Sequence, residues 1–207
     1  SPFSKIVGAG LLMIHAPKTN LKPVGIWRGY AGNELGIITD LWRAFLYPSA
    51  WAEKHGQNRI NTKICFITYG GKNNLFPVLL NRTMKVQKDL REQQKEIDQT
   101  LVTGLHKFTN STDKWENVVP NYTSKYSRYH IDLMDTLSLS SFRYNLDYYC
   151  AAFGLPAPLP KQSIHMLAQE KKYETIANLG ANDVSVLWAL FGEYGLSSGM
   201  KIEQEIN

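Results

Sequence analysis

The chain is short of the features that announce most chemistries. It has two cysteines, Cys65 and Cys150, each in an apolar segment with no Cys-x-x-Cys spacing and no histidine nearby. A disulfide framework and a zinc ribbon are therefore excluded. Both residues are expected to be buried free thiols, which suits a reducing compartment. No apolar run approaches the roughly 20 residues that a membrane span needs, so membrane insertion is not expected. His15, His55, His106, His130 and His165 are scattered among different segments without ligand spacing, which predicts no histidine metal site. Ser138-Leu-Ser-Ser141 lacks the flanking glycines of a hydrolase nucleophile elbow. The turn Tyr69-Gly-Gly-Lys72 lacks the Gly-Lys-Ser/Thr that would make it a phosphate loop. There is no initiator Met and no Arg-rich amphipathic leader, so Ser1 is expected to follow a removed presequence or to stand inside a longer protein.

What is present is ordinary and globular. The 207 residues suit one domain, with a core that buries about 70% of the unfolded surface. The 23 Lys+Arg outweigh the 18 Asp+Glu, for a net charge of +5 and a pI near 9.1. That balance admits a nucleic-acid partner and is equally usual in organellar matrix proteins. Sequons begin at Asn81, Asn110 and Asn121, with nothing else to suggest secretion.

Periodicity gives the organisation. Ile6 to Ile14 is a near-continuous apolar run, predicted as a strand buried on both faces, with Gly25 to Tyr30 as its hairpin partner. Leu35, Ile38, Leu41, Trp42 and Phe45 recur at helical spacing behind Asn33, a predicted N-cap, and Pro48 disturbs that helix late. Thr62 to Tyr69 is predicted as a second buried strand, followed by a helix capped by Asn74. From Gln87 to Thr100 the chain is strongly charged, while Val86, Leu90, Ile97 and Leu101 keep a narrow apolar stripe. This predicts a solvated helical extension with one packing seam. Ser111 to Tyr126 is loop-like, and His130 to Leu133 is a short strand. Helices follow around Tyr144–Phe153, Ser163–Lys171 and Tyr173–Tyr194. Strands alternating with helices predict an α/β layered fold.

Several segments together carry a resemblance. Thr68-Tyr-Gly-Gly-Lys-Asn-Asn-Leu-Phe-Pro-Val-Leu-Leu80 is similar to a motif reading Asn-Gly-x-x-Phe-Asp-Leu-Pro-Val-Leu. Tyr129-His-Ile-Asp-Leu-Met-Asp135, then Asn145-Leu-Asp-Tyr-Tyr149 and Phe153-Gly-Leu-Pro156, resemble a His-Ile-Asp-Leu-Met-Asp run and a later Leu-Gly-Leu-Pro. Glu174-Thr-Ile-Ala-Asn-Leu-Gly-Ala-Asn-Asp-Val184 resembles Glu-Glu-Ile-Arg-Asn-Tyr-Cys-Glu-Thr-Asp-Val, and Pro2-Phe-Ser-Lys-Ile-Val7 resembles Pro-Phe-His-Lys-Val-Val. Their order and spacing resemble the DEDD-type 3′–5′ exonucleases, in the bacterial branch similar to the proofreading domain of family-B DNA polymerases. The likeness implies an RNase H-like fold, a central mixed sheet flanked by helices, in one domain over residues 1–195. An insertion at about 87–110 supplies the charged helical extension, and 196–207 form a tail.

The same likeness bears on activity. It places Leu75 where the family has a metal-binding aspartate, Leu179 where it has the tyrosine that helps place the attacking water, and Asp183 at its final metal-binding aspartate. The family's Asp-x-Glu would precede Pro2, and no Asp-x-Glu occurs in the chain. Two-metal hydrolysis holds two divalent ions about 4 Å apart among converging carboxylates. One remaining carboxylate predicts a degenerate exonuclease, with no catalytic residues and no cofactor. Asp132 and Asp135 are expected to be hydrogen-bonded near a strand-to-helix junction rather than to be new ligands.

Lys72, Arg82, Lys85, Lys114, Lys125 and Arg128 are the nucleic-acid-binding candidates, with Trp115, Tyr122, Tyr126 and Tyr129 as stacking partners. The expected role is a non-catalytic subunit, structural or RNA-contacting, in a larger assembly with protein partners and RNA, an organellar ribosome being the preferred example. Its expected place is the mitochondrial matrix or another organelle, with the cytoplasm also open. The alternatives are a stand-alone nucleic-acid-binding module, or an active Mg²⁺- or Mn²⁺-dependent 3′–5′ exonuclease whose missing motif lies upstream of Ser1.

Overall fold

The computed structural model describes residues 5–15, 24–54, 65–109, 130–138, 144–158 and 164–198. They fall into two compact units, one from within Ser1–Ile6 and Asn33–Leu137, the other from within Val7–Gly32 and Ser138–Asn207. Helices predominate. The strands among the described residues form two separate two-stranded sheets, one antiparallel and one parallel. A single central sheet is not found among those residues.

In the first unit, helix α1 (Glu34–Leu46) follows Asn33, as its spacing predicts. The Asn33 carbonyl accepts from the Ile37 amide at 3.0 Å, while its side chain makes no capping bond. The apolar stripe turns inward, and Ile38 and Trp42 are fully buried. Trp42 Nε1 donates to Thr83 Oγ1 at 2.9 Å, and that hydroxyl donates to the Leu79 carbonyl at 2.7 Å. The buried indole N–H is thus satisfied, as burial of a tryptophan requires. Pro48 cannot continue α1 and instead opens α2 (Pro48–Lys54), a position where its missing N–H costs nothing.

Strand β3 (Phe66–Thr68) pairs in parallel with β4 (His130–Asp132), which runs into the short helix α5 (Leu133–Leu137). Phe66, Thr68, His130 and Asp132 are buried and Ile67 and Ile131 half-buried, so the strand is covered more fully on one face than the other. Residues 62–64 of the predicted strand lie outside the described residues. Cys65, at its edge, is exposed rather than buried, because the covered stretch begins only at Phe66.

The charged extension is not one helix. Helix α3 (Phe76–Glu92) stops in a Schellman closure: Gln94 adopts φ 53°, its amide donates to the Arg91 carbonyl, and the Lys95 amide donates to the Leu90 carbonyl. Helix α4 (Gln99–Thr109) then packs against α1 and α3. Asp98 starts it by accepting from the Thr100 amide at 2.8 Å. Bonding from Thr100, supported by nearby Arg43, holds its carboxyl below the usual range. The predicted seam is real, with Val86 and Leu101 buried and Leu90 and Ile97 half-buried, but it spans two helices. A β-carbon-bearing residue in the left-handed region is strained. Gln94→Gly is therefore expected to stabilise the chain by about 0.5–1 kcal/mol, measured as a higher urea midpoint at unchanged slope.

The second unit pairs β1 (Gly8–His15) with β2 (Val24–Ala31) in the predicted antiparallel hairpin, with Leu12 opposite Trp27. Gly8 to Leu12 are half-buried, not buried on both faces, and among the described residues β1 pairs with β2 alone. The long helix α8 (Tyr173–Ser197) packs on both strands. Their closest approach is backbone to backbone, since a β-carbon on Gly10 would overlap the Gly180 carbonyl. Gly10→Ala must push the helix off the hairpin and is expected to cost about 1–3 kcal/mol in chemical unfolding. Helix α6 (Leu146–Ala152) is capped by Asn145, whose side chain accepts from the Tyr148 amide at 3.0 Å, and it ends at Gly154 with φ 67°. Cys150 in that helix is fully buried, as predicted, and burial pushes its thiol up with help from Asp147. Helix α7 (Ile164–Gln169) completes the unit.

Candidate functional site

The turn between β3 and α3 is conformationally constrained. Gly70 has φ 71°, a left-handed conformation that disfavours any other residue. A β-carbon on Gly71 would overlap the Thr68 hydroxyl. The chain then makes one π-helical turn, Gly71–Leu75, in which the Phe76 amide donates to the Gly71 carbonyl, and the Asn74 amide donates to the Gly70 carbonyl at 3.0 Å. Asn74 lies inside this turn and is not the cap that the sequence predicts.

The capping group comes from β4, some 60 residues along the chain. Asp132, 1% exposed, accepts from the amides of Gly70 at 2.7 Å and Met134 at 3.2 Å through Oδ1, and from the Lys72 amide at 2.9 Å through Oδ2. The carboxylate faces the N-terminal end of the turn and α3, where the aligned peptide dipoles favour negative charge. This is the strand-to-helix hydrogen bonding expected of Asp132; Asp135 lies in the following helix α5. The bonding also decides the chemistry of Tyr69-Gly-Gly-Lys72. Two amides that a phosphate would need are committed to a buried side chain. Beneath them, Thr68 Oγ1 and His130 Nε2 lie 2.7 Å apart, with Phe76 edge-on to the imidazole at 5.0 Å.

Of the basic candidates, Lys72, Arg82 and Lys85 are among the described residues, and each has its own setting. Arg82 is 6% exposed and turned inward, its guanidinium forked onto Glu34 at 2.8 and 2.7 Å. A lone buried cation would be untenable, and Glu34 neutralises it. Lys85, three residues on, points out and pairs with Asp89 at 2.6 Å; that carboxylate raises its basicity. Lys72 is half-buried on the turn. Lys114, Lys125 and Arg128, with Trp115, Tyr122, Tyr126 and Tyr129, lie outside the described residues. In the second unit, Leu179 and Asp183 are half-buried one turn apart on α8, beside the face that packs Gly180 and Val184 on the hairpin.

A family described as a predicted 3′–5′ exonuclease related to the exonuclease domain of PolB matches residues 56–206, well over half the chain. The chain belongs to this family. No curated protein and no solved structure matches it. The match starts at residue 56, so β1, β2, α1 and α2 lie before it, as does the resembling segment Pro2–Val7. The turn at Gly70–Leu75, β4 with Asp132, and α8 with Asp183 all fall within it.

Membership of an exonuclease family implies a pair of divalent ions held by carboxylates. At the three positions that the likeness assigns, Leu75 and Leu179 carry hydrocarbon and Asp183 alone carries oxygen. Leu75 is 49% exposed, an apolar side chain at the surface of the turn. Asp132 and Glu34, the buried carboxylates of this region, are engaged by backbone amides and by Arg82. Among the described residues, no three His, Cys, Asp or Glu side chains converge to hold an ion. Two residues that matter to this region, Glu34 and Thr68, have no marker in the sequence; each acquires its role from a partner 48 or 62 positions away. No helix among the described residues is long and apolar enough to cross a membrane.

Proposed function

We propose that this chain is a non-catalytic member of the exonuclease family, retained as a structural or RNA-contacting subunit of a larger assembly. One observation carries the reading: Leu75 and Leu179 stand where the family places a ligand and the tyrosine that helps place the attacking water. Hard divalent ions need oxygen donors, and one carboxylate cannot offset the charge of two such ions or their mutual repulsion. The turn that once presented the ligand is nevertheless held by Asp132 and two conformationally required glycines. Loss of donors on a maintained frame is what selection for shape without hydrolysis would leave.

The finer parts of the proposal follow from this. The fold is RNase H-like, with a central mixed sheet flanked by helices. The net charge of +5 suits an RNA-rich assembly, and an organellar ribosome in the mitochondrial matrix is the example we favour.

The test is a cleavage assay on single-stranded DNA and RNA with Mg²⁺ or Mn²⁺, comparing the chain with Asp183→Ala. The expected outcome is no cleavage above background in either protein. Cleavage that Asp183→Ala abolishes would establish a working exonuclease whose remaining acidic ligands lie elsewhere. Salt-dependent oligonucleotide binding by the isolated chain would favour a stand-alone binding module. Recovery of the native chain only in a high-mass complex supports the proposal.

A further inference from the structure

We draw no further inference here: the strongest candidate, the exposed stacked pair Tyr144 and Tyr148 at the start of α6 in the second unit, is a flat aromatic platform, but the exposed Asp147 on the same turn opposes a polyanion and nothing in the structure shows what covers the rings.

Discussion

Replacing Arg82 by methionine is expected to lower the unfolding free energy by about 3–5 kcal/mol, the usual result of breaking one side of a buried ion pair. The guanidinium donates to both carboxylate oxygens of Glu34, with 7% and 13% of the two side chains exposed. Glu34 Oε1 also accepts from the Ile6 amide at 2.7 Å. Removal of Arg82 leaves a carboxylate out of water with one backbone donor for company. Native domains are stable by only about 5–15 kcal/mol, so such a loss brings the chain near its unfolding threshold. The double variant Glu34→Leu/Arg82→Met should regain most of the loss, because two apolar groups satisfy each other and only the Ile6 amide is orphaned. Urea unfolding of both singles and the double forms a cycle that isolates the pair. A loss under about 1 kcal/mol in the single variant would place the pair in solvent and reopen Arg82 as a surface contact.

Asp132→Ala should be nearly as damaging, at about 4 kcal/mol. Three backbone amides lose a charged acceptor in a site that excludes water, and each buried donor left unpaired costs about 1–3 kcal/mol. The estimate lies below the sum because the turn can relax. Asp132→Asn, which keeps one acceptor oxygen and presents donors on the other side, should lose about half as much. Amide hydrogen exchange reads the mechanism directly: the Gly70 and Lys72 amides are expected to be protected in the parent protein and to lose that protection in Asp132→Ala. Unchanged exchange at those two amides would mean that the turn stands without the carboxylate.

Much of the local structure was legible because it depends on neighbours in sequence. The stripe from Leu35 to Phe45 predicts α1 with nearly the observed limits, and Pro48 marks its end. The spacing of Gly25–Tyr30 after Ile6–Ile14 predicts the hairpin. The charged stretch after Gln87 departs from its sequence pattern in one respect. No glycine or proline announces a break, yet the chain turns at Gln94, where packing of Leu101 offsets the strain of a left-handed residue. The supports of the turn were not legible in the sequence. The likeness assigns Leu75, Leu179 and Asp183 by residue type alone. Lys72 and Lys85 offered charge alone, which says nothing about whether a side chain faces water or a partner. Arg82 shows the consequence: in the sequence it sits among the basic residues of a charged helix, and in the fold it is a core residue.

By itself the amino-acid sequence determined which family the chain belongs to, where most helices and strands lie, and that leucines stand at positions 75 and 179. Each of these is a matter of residue type and short-range spacing. Only the tertiary structure decided that Asp132 caps a turn 60 residues away, that Glu34 claims Arg82, and that α8 seats on the hairpin through Gly10 and Gly180. Those outcomes depend on which polar groups are removed from water together. Partners brought side by side by folding leave no periodic trace along the chain.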